Sequence, residues 1–273
     1  MNTDHLLADV PQGLGVYCGR GGVSASRARE LRAAGIRHVV LCAEAVDGWR
    51  AGPAQLSAQA SAVRSAGLVP HVYAFPGLSR ARQPRAVAAD LLGAVRRAGG
   101  VCPVPDLEAP YRGRPALLRA LLDALVELGT RDERERILVT TLGLPSDRGT
   151  RWPWPELHAW LAAARAATGC TLGAIGWQCY ERAADAPRVR AGVDELARTW
   201  GRARTLPHVA TYRRTSERPE GQDGAARLVA DLDRACLGPD GRPDVPGAWL
   251  WSAASLDDDE LDALRAWAER HGW

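Results

Sequence analysis

Eight short apolar runs, separated by helix-like stretches, constrain this chain more than any other feature. They are GLGVYC (13–18), HVVLCAE (38–44), LVPHVYAF (68–75), VCPVPDLE (101–108), ILVTTLG (137–143), LGAIGWQCY (172–180), LPHVATY (206–212) and AWLWSA (248–253). Short apolar runs of this kind, bounded by turn residues, are expected to form buried strands. The stretches between them, among them SASRARELRAAG, AVAADLLGAVRRAGG and PALLRALLDALVELG, repeat apolar residues at i, i+3 and i+4, the helical period. Several end in glycine just before the next run, a helix C-terminal signal. The last, SLDDDELDALRAWAERHGW, places Ser255 as its N-cap and stacks acids in the first turn, where the helix dipole favours them.

Strands alternating with helices predict a parallel sheet joined by crossover helices. Eight of each predict a closed (β/α)8 barrel, which accommodates residues 1–273 as a single domain. The competing fold is an open doubly wound sheet, which asks for a glycine-rich phosphate turn after the first strand. CGRGG at 18–22 lacks the GxGxxG spacing. Apolar residues make up 46% of the chain, ample for a core, and a net charge of +3 gives no electrostatic case for a nucleic-acid partner. No apolar run approaches the roughly 18 residues of a membrane span. MNTDHLLADVPQG lacks the basic and apolar segments of a secretory signal, which predicts a cytoplasmic location as encoded. Six cysteines without metal-ligand spacing are expected to be free thiols.

In such a barrel, ligands bind at the C-terminal ends of the strands, and alternate strand residues point inward. On the fourth run, Cys102, Val104, Asp106 and Glu108 share the inward phase, so both acids come last, at the mouth. Their side chains stand roughly 6–7 Å apart on a regular strand, close enough for one carboxylate to raise the pKa of the other. That is what the proton donor of glycoside cleavage requires. Pro103 and Pro105 each remove a ladder donor, so a bulge or an early strand end is expected beside them. The plainer alternative is a loop start, with Asp106 capping a helix and Glu108 solvated. The same phase brings Glu44, Tyr73, Gln178, Tyr180, Tyr212 and Trp251 to the other strand ends, with Tyr17 on strand one and Glu181 just past strand six. Tyrosines and tryptophans around an acid suit a sugar, whose C–H faces stack on rings. Phe75 and Trp249 are expected to be barrel filling. RWPWPELHAW (151–160) forms either a lid or a helix start, and RRTSERPEGQDG (213–224) borders the site face. The loop GPDGRPDVPG (238–247) belongs to the opposite, scaffold face.

His71 and His208 also fall in the inward phase, which raises a metal site as an alternative. With no HxH or HExxH, they are expected to be hydrogen-bonded core histidines. A nucleophilic Cys18 or Ser252 lacks a GxSxG context.

VPDLEAPY, WQCYE and AWLWSA together resemble the glycoside-hydrolase barrels of the family 25 lysozyme type and, more loosely, the chitinase-like barrels. The resemblance implies that Glu108 is the proton-donating glutamate, Asp106 its partner carboxylate, and the substrate an N-acetylated polysaccharide such as peptidoglycan or chitin. No cofactor and no metal are expected. Family 25 enzymes carry an aspartate near the end of strand one, where this chain has Val16-Tyr17-Cys18. They also carry an acid after strand six, for which Glu181 or Asp185 stands nearest. Three readings follow: a glycoside hydrolase, a non-catalytic carbohydrate-binding or scaffold barrel of a phage-like or secretion assembly, and a metal- or phosphate-dependent enzyme of small-molecule metabolism. The expected partner is a polysaccharide, with no nucleic acid and no membrane, and no feature sets an oligomeric state.

Overall fold

A computed structural model describes residues 10–45, 47–75, 83–107, 114–141, 144, 173–179, 186–211 and 224–273. Its strands are β1 Gly13–Cys18, β2 Ile36–Glu44, β3 Val69–Ala74, β4 Pro103–Leu107, β5 Leu138–Thr141, β6 Ala174–Gln178, β7 Thr205–Ala210 and β8 Gly247–Trp251. Each pairs in parallel with the next, and β8 closes on β1 from Gly13↔Gly247 to Tyr17↔Trp251. The fold is a (β/α)8 barrel, and closure removes the open-sheet alternative. The described helices are α1 Ala25–Ala33, α2 Pro53–Ser65, α3 Pro84–Ala98, α4 Pro115–Leu128, α5 Arg131–Glu135, α6 Ala186–Trp200, α7 Gly224–Cys236 and α8 Asp258–His271. None is long and apolar enough to cross a membrane.

Period-2 alternation divides the core in two. Leu14, Val16, Val39, Leu41, Val139, Ile175 and Leu250 pack outward against the helices. Tyr17, Val40, Cys42, Tyr73, Cys102, Val104, Leu138, Leu206 and Trp249 fill the barrel itself. Two glycines mark where large rings claim the space. A Cβ on Gly15 would lie 2.4 Å from Trp249 Cδ1, inside the barrel. A Cβ on Gly192, in the middle of α6, would lie 2.4 Å from Trp177 Cη2. A mid-helix glycine costs about 1 kcal/mol against alanine, and here the Trp177 ring occupies the volume that alanine would need.

The prolines of β4 leave the barrel intact. β4 pairs with β3 over Pro103–Pro105 and with β5 only from Asp106 onward, so both missing N–H groups precede the β5 ladder. The pairs of β4 are in unbroken register, and the bulge expected from the prolines is absent there. At the other end of the barrel, Arg190 of α6 donates to the Leu237 carbonyl and pairs with Asp244. Arg202 joins Asp244 at 2.8 Å and Asp194 at 2.6 Å. These contacts fix the 238–247 loop against α6.

One sequence expectation fails at α8. Its N-cap is Asp257, not Ser255: Asp257 accepts from the Glu260 N–H at 2.9 Å while Glu260 accepts from the Asp257 N–H at 3.1 Å. This reciprocal pair satisfies two helix-end donors at once. Ser255 ends a short 3-10 turn, and its hydroxyl lies 2.7 Å from Thr211 Oγ1. The five described cysteines, Cys18, Cys42, Cys102, Cys179 and Cys236, are free and buried; Cys170 lies outside the described residues.

Gly15→Ala should lower the unfolding free energy by about 1–3 kcal/mol, the range for overpacking a filled core. Gly21→Ala, with no heavy atom within 4 Å of the added Cβ, should stay within about 0.5 kcal/mol of the parent. Urea denaturation of both variants measures the difference.

Candidate functional site

Asp106 is the last inward residue of β4, and at 4% exposure it lies under the rim of the barrel and not in solvent. A buried carboxylate needs donors. Gln178, at the end of β6, supplies one: its Nε2 donates to Asp106 Oδ1 at 2.8 Å and also reaches Thr140 Oγ1 at 3.3 Å. Thr140 stands in register with Asp106 on β5. The acid is therefore set by three consecutive strands. A helix-capping role for Asp106 in a loop is overturned by its position within the β4 ladder.

Aromatic rings stand beside the acid. Tyr17 of β1 meets Tyr73 of β3 edge-on at 5.3 Å, and Trp251 of β8 lies 4.9 Å from Tyr17 and 5.5 Å from Tyr73. Both tyrosines are buried, whereas Trp251 is half-buried. Burial, reinforced by the Asp106 charge, raises the Tyr17 phenol well above its ordinary pKa, so it remains an O–H donor. Tyr73 is raised chiefly by burial, and its hydroxyl engages the Cys42 sulfur. Burial pushes the Cys42 thiol up to about 11. Tyr17 Oη, beside the Thr140 hydroxyl, and Gln178 Oε1 are sealed from solvent next to the Asp106 carboxylate.

These contacts gather five residues anticipated from strand phase: Tyr17, Tyr73, Asp106, Gln178 and Trp251. Glu44 stands apart. Its carboxylate is 3.4 Å from Arg50, which also reaches Asp90 on α3, and a register shift separates it from Cys42. Burial raises the Glu44 pKa, with Arg50 opposing. Glu108, Tyr180, Glu181 and Tyr212 lie outside the described residues, as do Asp185 and the segments 151–160 and 213–223. Sequence reasoning missed Thr140 and Cys42. Strand phase applied to ILVTTLG and HVVLCAE reaches both.

Beneath the mouth the barrel is plugged by Trp249, fully buried, with His208 stacked on it at 5.8 Å and His71 tilted against it at 5.2 Å. The hydrogen bonds here run one way. The Cys102 N–H donates to His71 Nδ1 at 3.2 Å, which leaves the His71 proton on Nε2. That nitrogen lies 3.0 Å from His38 Nδ1, and His38 Nε2 lies 2.9 Å from the Gln12 carbonyl, so His38 donates onward to Gln12. Both rings are neutral in this chain of donors. Burial depresses all three histidines, His208 to about 3. Among the described residues no three His, Cys, Asp or Glu side chains cluster as metal ligands. Each inward histidine instead has a protein partner, with His208 Nδ1 lying 3.2 Å from Thr140 Oγ1.

No protein-family model and no curated protein matches the sequence. Solved structures do. A GH18 chitinase from Pseudoalteromonas aurantia superposes with a TM-score of 0.67 at 12% identity, over 94% of this chain and 99% of that one. An endo-beta-N-acetylglucosaminidase from Cordyceps militaris gives 0.62 at 10% identity, over 99% and 94%. The Bacillus cereus spore cortex-lytic enzyme SleL gives 0.60 at 8% identity, over 94% and 74%. The likeness is one of fold.

Two expectations follow from the site and its floor. Gln178→Leu strips a buried carboxylate of a donor and should destabilise the barrel by about 1–3 kcal/mol, read from chemical denaturation. The histidines predict acid sensitivity. Their folded pKa values lie below 6.5, so below about pH 6.5 the unfolded chain binds protons that the folded barrel refuses. Stability present above that pH is then lost on acidification, by about 1.4 kcal/mol per pH unit for each histidine in its window, reaching down to about pH 3 for His208. A urea midpoint unchanged between about pH 7.5 and 5 would contradict this.

Proposed function

We propose that the chain is a glycoside-hydrolase-like barrel, one domain over residues 1–273, acting on an N-acetylated polysaccharide of the peptidoglycan or chitin type. The observation that carries this reading is Asp106, inward and buried at the end of β4, two residues before Glu108 in an Asp-x-Glu pair. Solved structures of similar shape, a chitinase, an endo-beta-N-acetylglucosaminidase and a cortex-lytic enzyme, support the substrate class. They favour the chitinase-like side of the resemblance over the family 25 side.

In this reading Glu108 gives its proton to the glycosidic oxygen as the C1–O bond breaks. The Asp106 carboxylate, two positions earlier, disfavours a second charge and so helps keep Glu108 protonated until that moment. Positive charge then develops at C1, and the same carboxylate favours it. Beneath the sugar's acetamido substituent, the buried Tyr17 hydroxyl and Gln178 amide form the polar floor on which Asp106 rests. Trp251 offers a partly exposed ring for a sugar face. Tyr73, Glu44, Tyr180, Glu181 and Tyr212 complete the proposed sugar-contacting set. Water delivers hydroxyl to C1 and returns the proton to Glu108.

A second reading rests on Tyr17. It occupies the inward position near the end of β1, close to where family 25 enzymes carry an aspartate, and a barrel with one acid fewer binds glycan without cleaving it.

Hydrolysis of chito-oligosaccharides and peptidoglycan by the parent and by Glu108→Gln separates the two. The enzymatic reading expects the variant to fall about 100- to 10,000-fold, the usual worth of a general acid. Equal inactivity of both proteins, with glycan binding seen by calorimetry, establishes the binding reading; inactivity without binding removes both.

A further inference from the structure

The rim of the barrel carries one large apolar side chain that the proposed sugar-contacting set leaves out. Trp49 follows β2, is partly exposed, and packs against the same interior cluster as Trp251, the cluster that includes Tyr17 and Tyr73. Its backbone is held from several sides. The Ala45 N–H donates to the Trp49 carbonyl at 2.9 Å and the Ala51 N–H to the Ala43 carbonyl at 3.0 Å, so the chain returns on itself after β2. The Gly48 N–H donates to the Ala45 carbonyl at 2.9 Å, and Gly48 takes the left-handed φ of +84° that this tight turn needs.

The loop is tied to its neighbour as well. Asp47 Oδ1 accepts from the Trp49 N–H at 3.2 Å, while Asp47 Oδ2 pairs with Arg20 at 2.6 Å. Arg20 belongs to CGRGG, the glycine-rich segment after β1, which turns on a bond of 2.9 Å from the Gly22 N–H to the Gly19 carbonyl. This segment lacks the spacing of a phosphate turn, and here it braces the loop that presents Trp49. An exposed ion pair adds little stability by itself, but ties from both sides fix where the ring stands.

Size and position together point to a sugar as what the ring meets. Arg20, Asp47 and Arg50 frame it with charge, each about half exposed. A stable protein interface covers about 800 Å² on each partner, far more than one framed indole offers. One ring matches one sugar face. β8, β1 and β2 are neighbours, with Trp251 paired to Tyr17 and Tyr17 to Val40. At about 4.8 Å per strand, the strands that lead to the two tryptophans stand about 10 Å apart across β1. Linked sugars span that distance, and a single ring does not.

We propose that Trp49 is a second sugar platform on the rim, stacking a residue of the glycan chain beyond the one that Trp251 covers. The inference rests on the glycan reading and adds to it a preference for an oligosaccharide over a single sugar. The ligand class is a chain of N-acetylated hexoses long enough to lie across β8, β1 and β2.

Calorimetric titration with chitohexaose tests this in the Glu108→Gln chain, where the ligand is not consumed. Adding Trp49→Ala should weaken binding about tenfold, the 1.4 kcal/mol scale of one aromatic contact, and Trp49→Tyr should restore most of it. Unchanged affinity in Trp49→Ala overturns the proposal; if Trp251→Ala weakens binding in the same series, the glycan reading survives without it. Where Trp49→Ala melts early, Asp47→Ala is read in its place, since it keeps the ring and removes an exposed tether. Weaker binding then upholds the proposal and equal binding overturns it. Absence of chitohexaose binding in the Glu108→Gln chain itself also overturns it, and hydrolysis of peptidoglycan then decides the glycan reading alone.

Discussion

A closed ring of eight strands encloses a volume that has to be filled, and the placement of Trp249 is the solution around which the interior is arranged. Its ring takes the space that Gly15 gives up and has Tyr17, His38, His71 and His208 around it. A dense interior tolerates no void and no surplus methyl, so the identity of each inward residue on β1, β3, β7 and β8 is tied to this one side chain. The histidines come with the bargain of packing polar rings in a dry interior. They stay neutral and hydrogen-bonded because charge there would be unsolvated.

Above that plug the chemistry changes character. The inward residues become Asp106, Thr140 and Gln178, held to each other, with phenol and indole rings at their flank. Below it the surface turns basic, with arginines that α8, β2 and the loop before β8 bring together. The division follows from topology, since residues finishing strands gather on one face and residues starting them on the other.

Much of this was legible in the sequence, because the same physics writes both. Strand runs of the right number and spacing specify the barrel, and alternation alone places Tyr73, Asp106, Gln178 and Trp251 inward. Failures came where a non-local contact decided the outcome. Counting sets Glu44 in the inward phase of Cys42 but gives no sign of the register shift against β3 or of the pairing with Arg50. Ser255 is a good N-cap by type, but Thr211, 44 residues away, claims its hydroxyl, and Asp257 with Glu260 offers the helix two bonds at once. The prolines of β4 misled in a third way. Their missing donors matter only if a neighbour is waiting for them, and which neighbour pairs where is not written locally.

That last point has a consequence for how such a site changes over time. Because β4 is handed from β3 to β5 at the Pro105–Asp106 step, and Gln178 ties the acid to β5 and β6, the carboxylate's aim is inherited from sheet backbone. Loops around the rim can then be lengthened, swapped or rewritten to suit a new ligand while the acid keeps its bearing. Retargeting such a barrel is a matter of editing its edges.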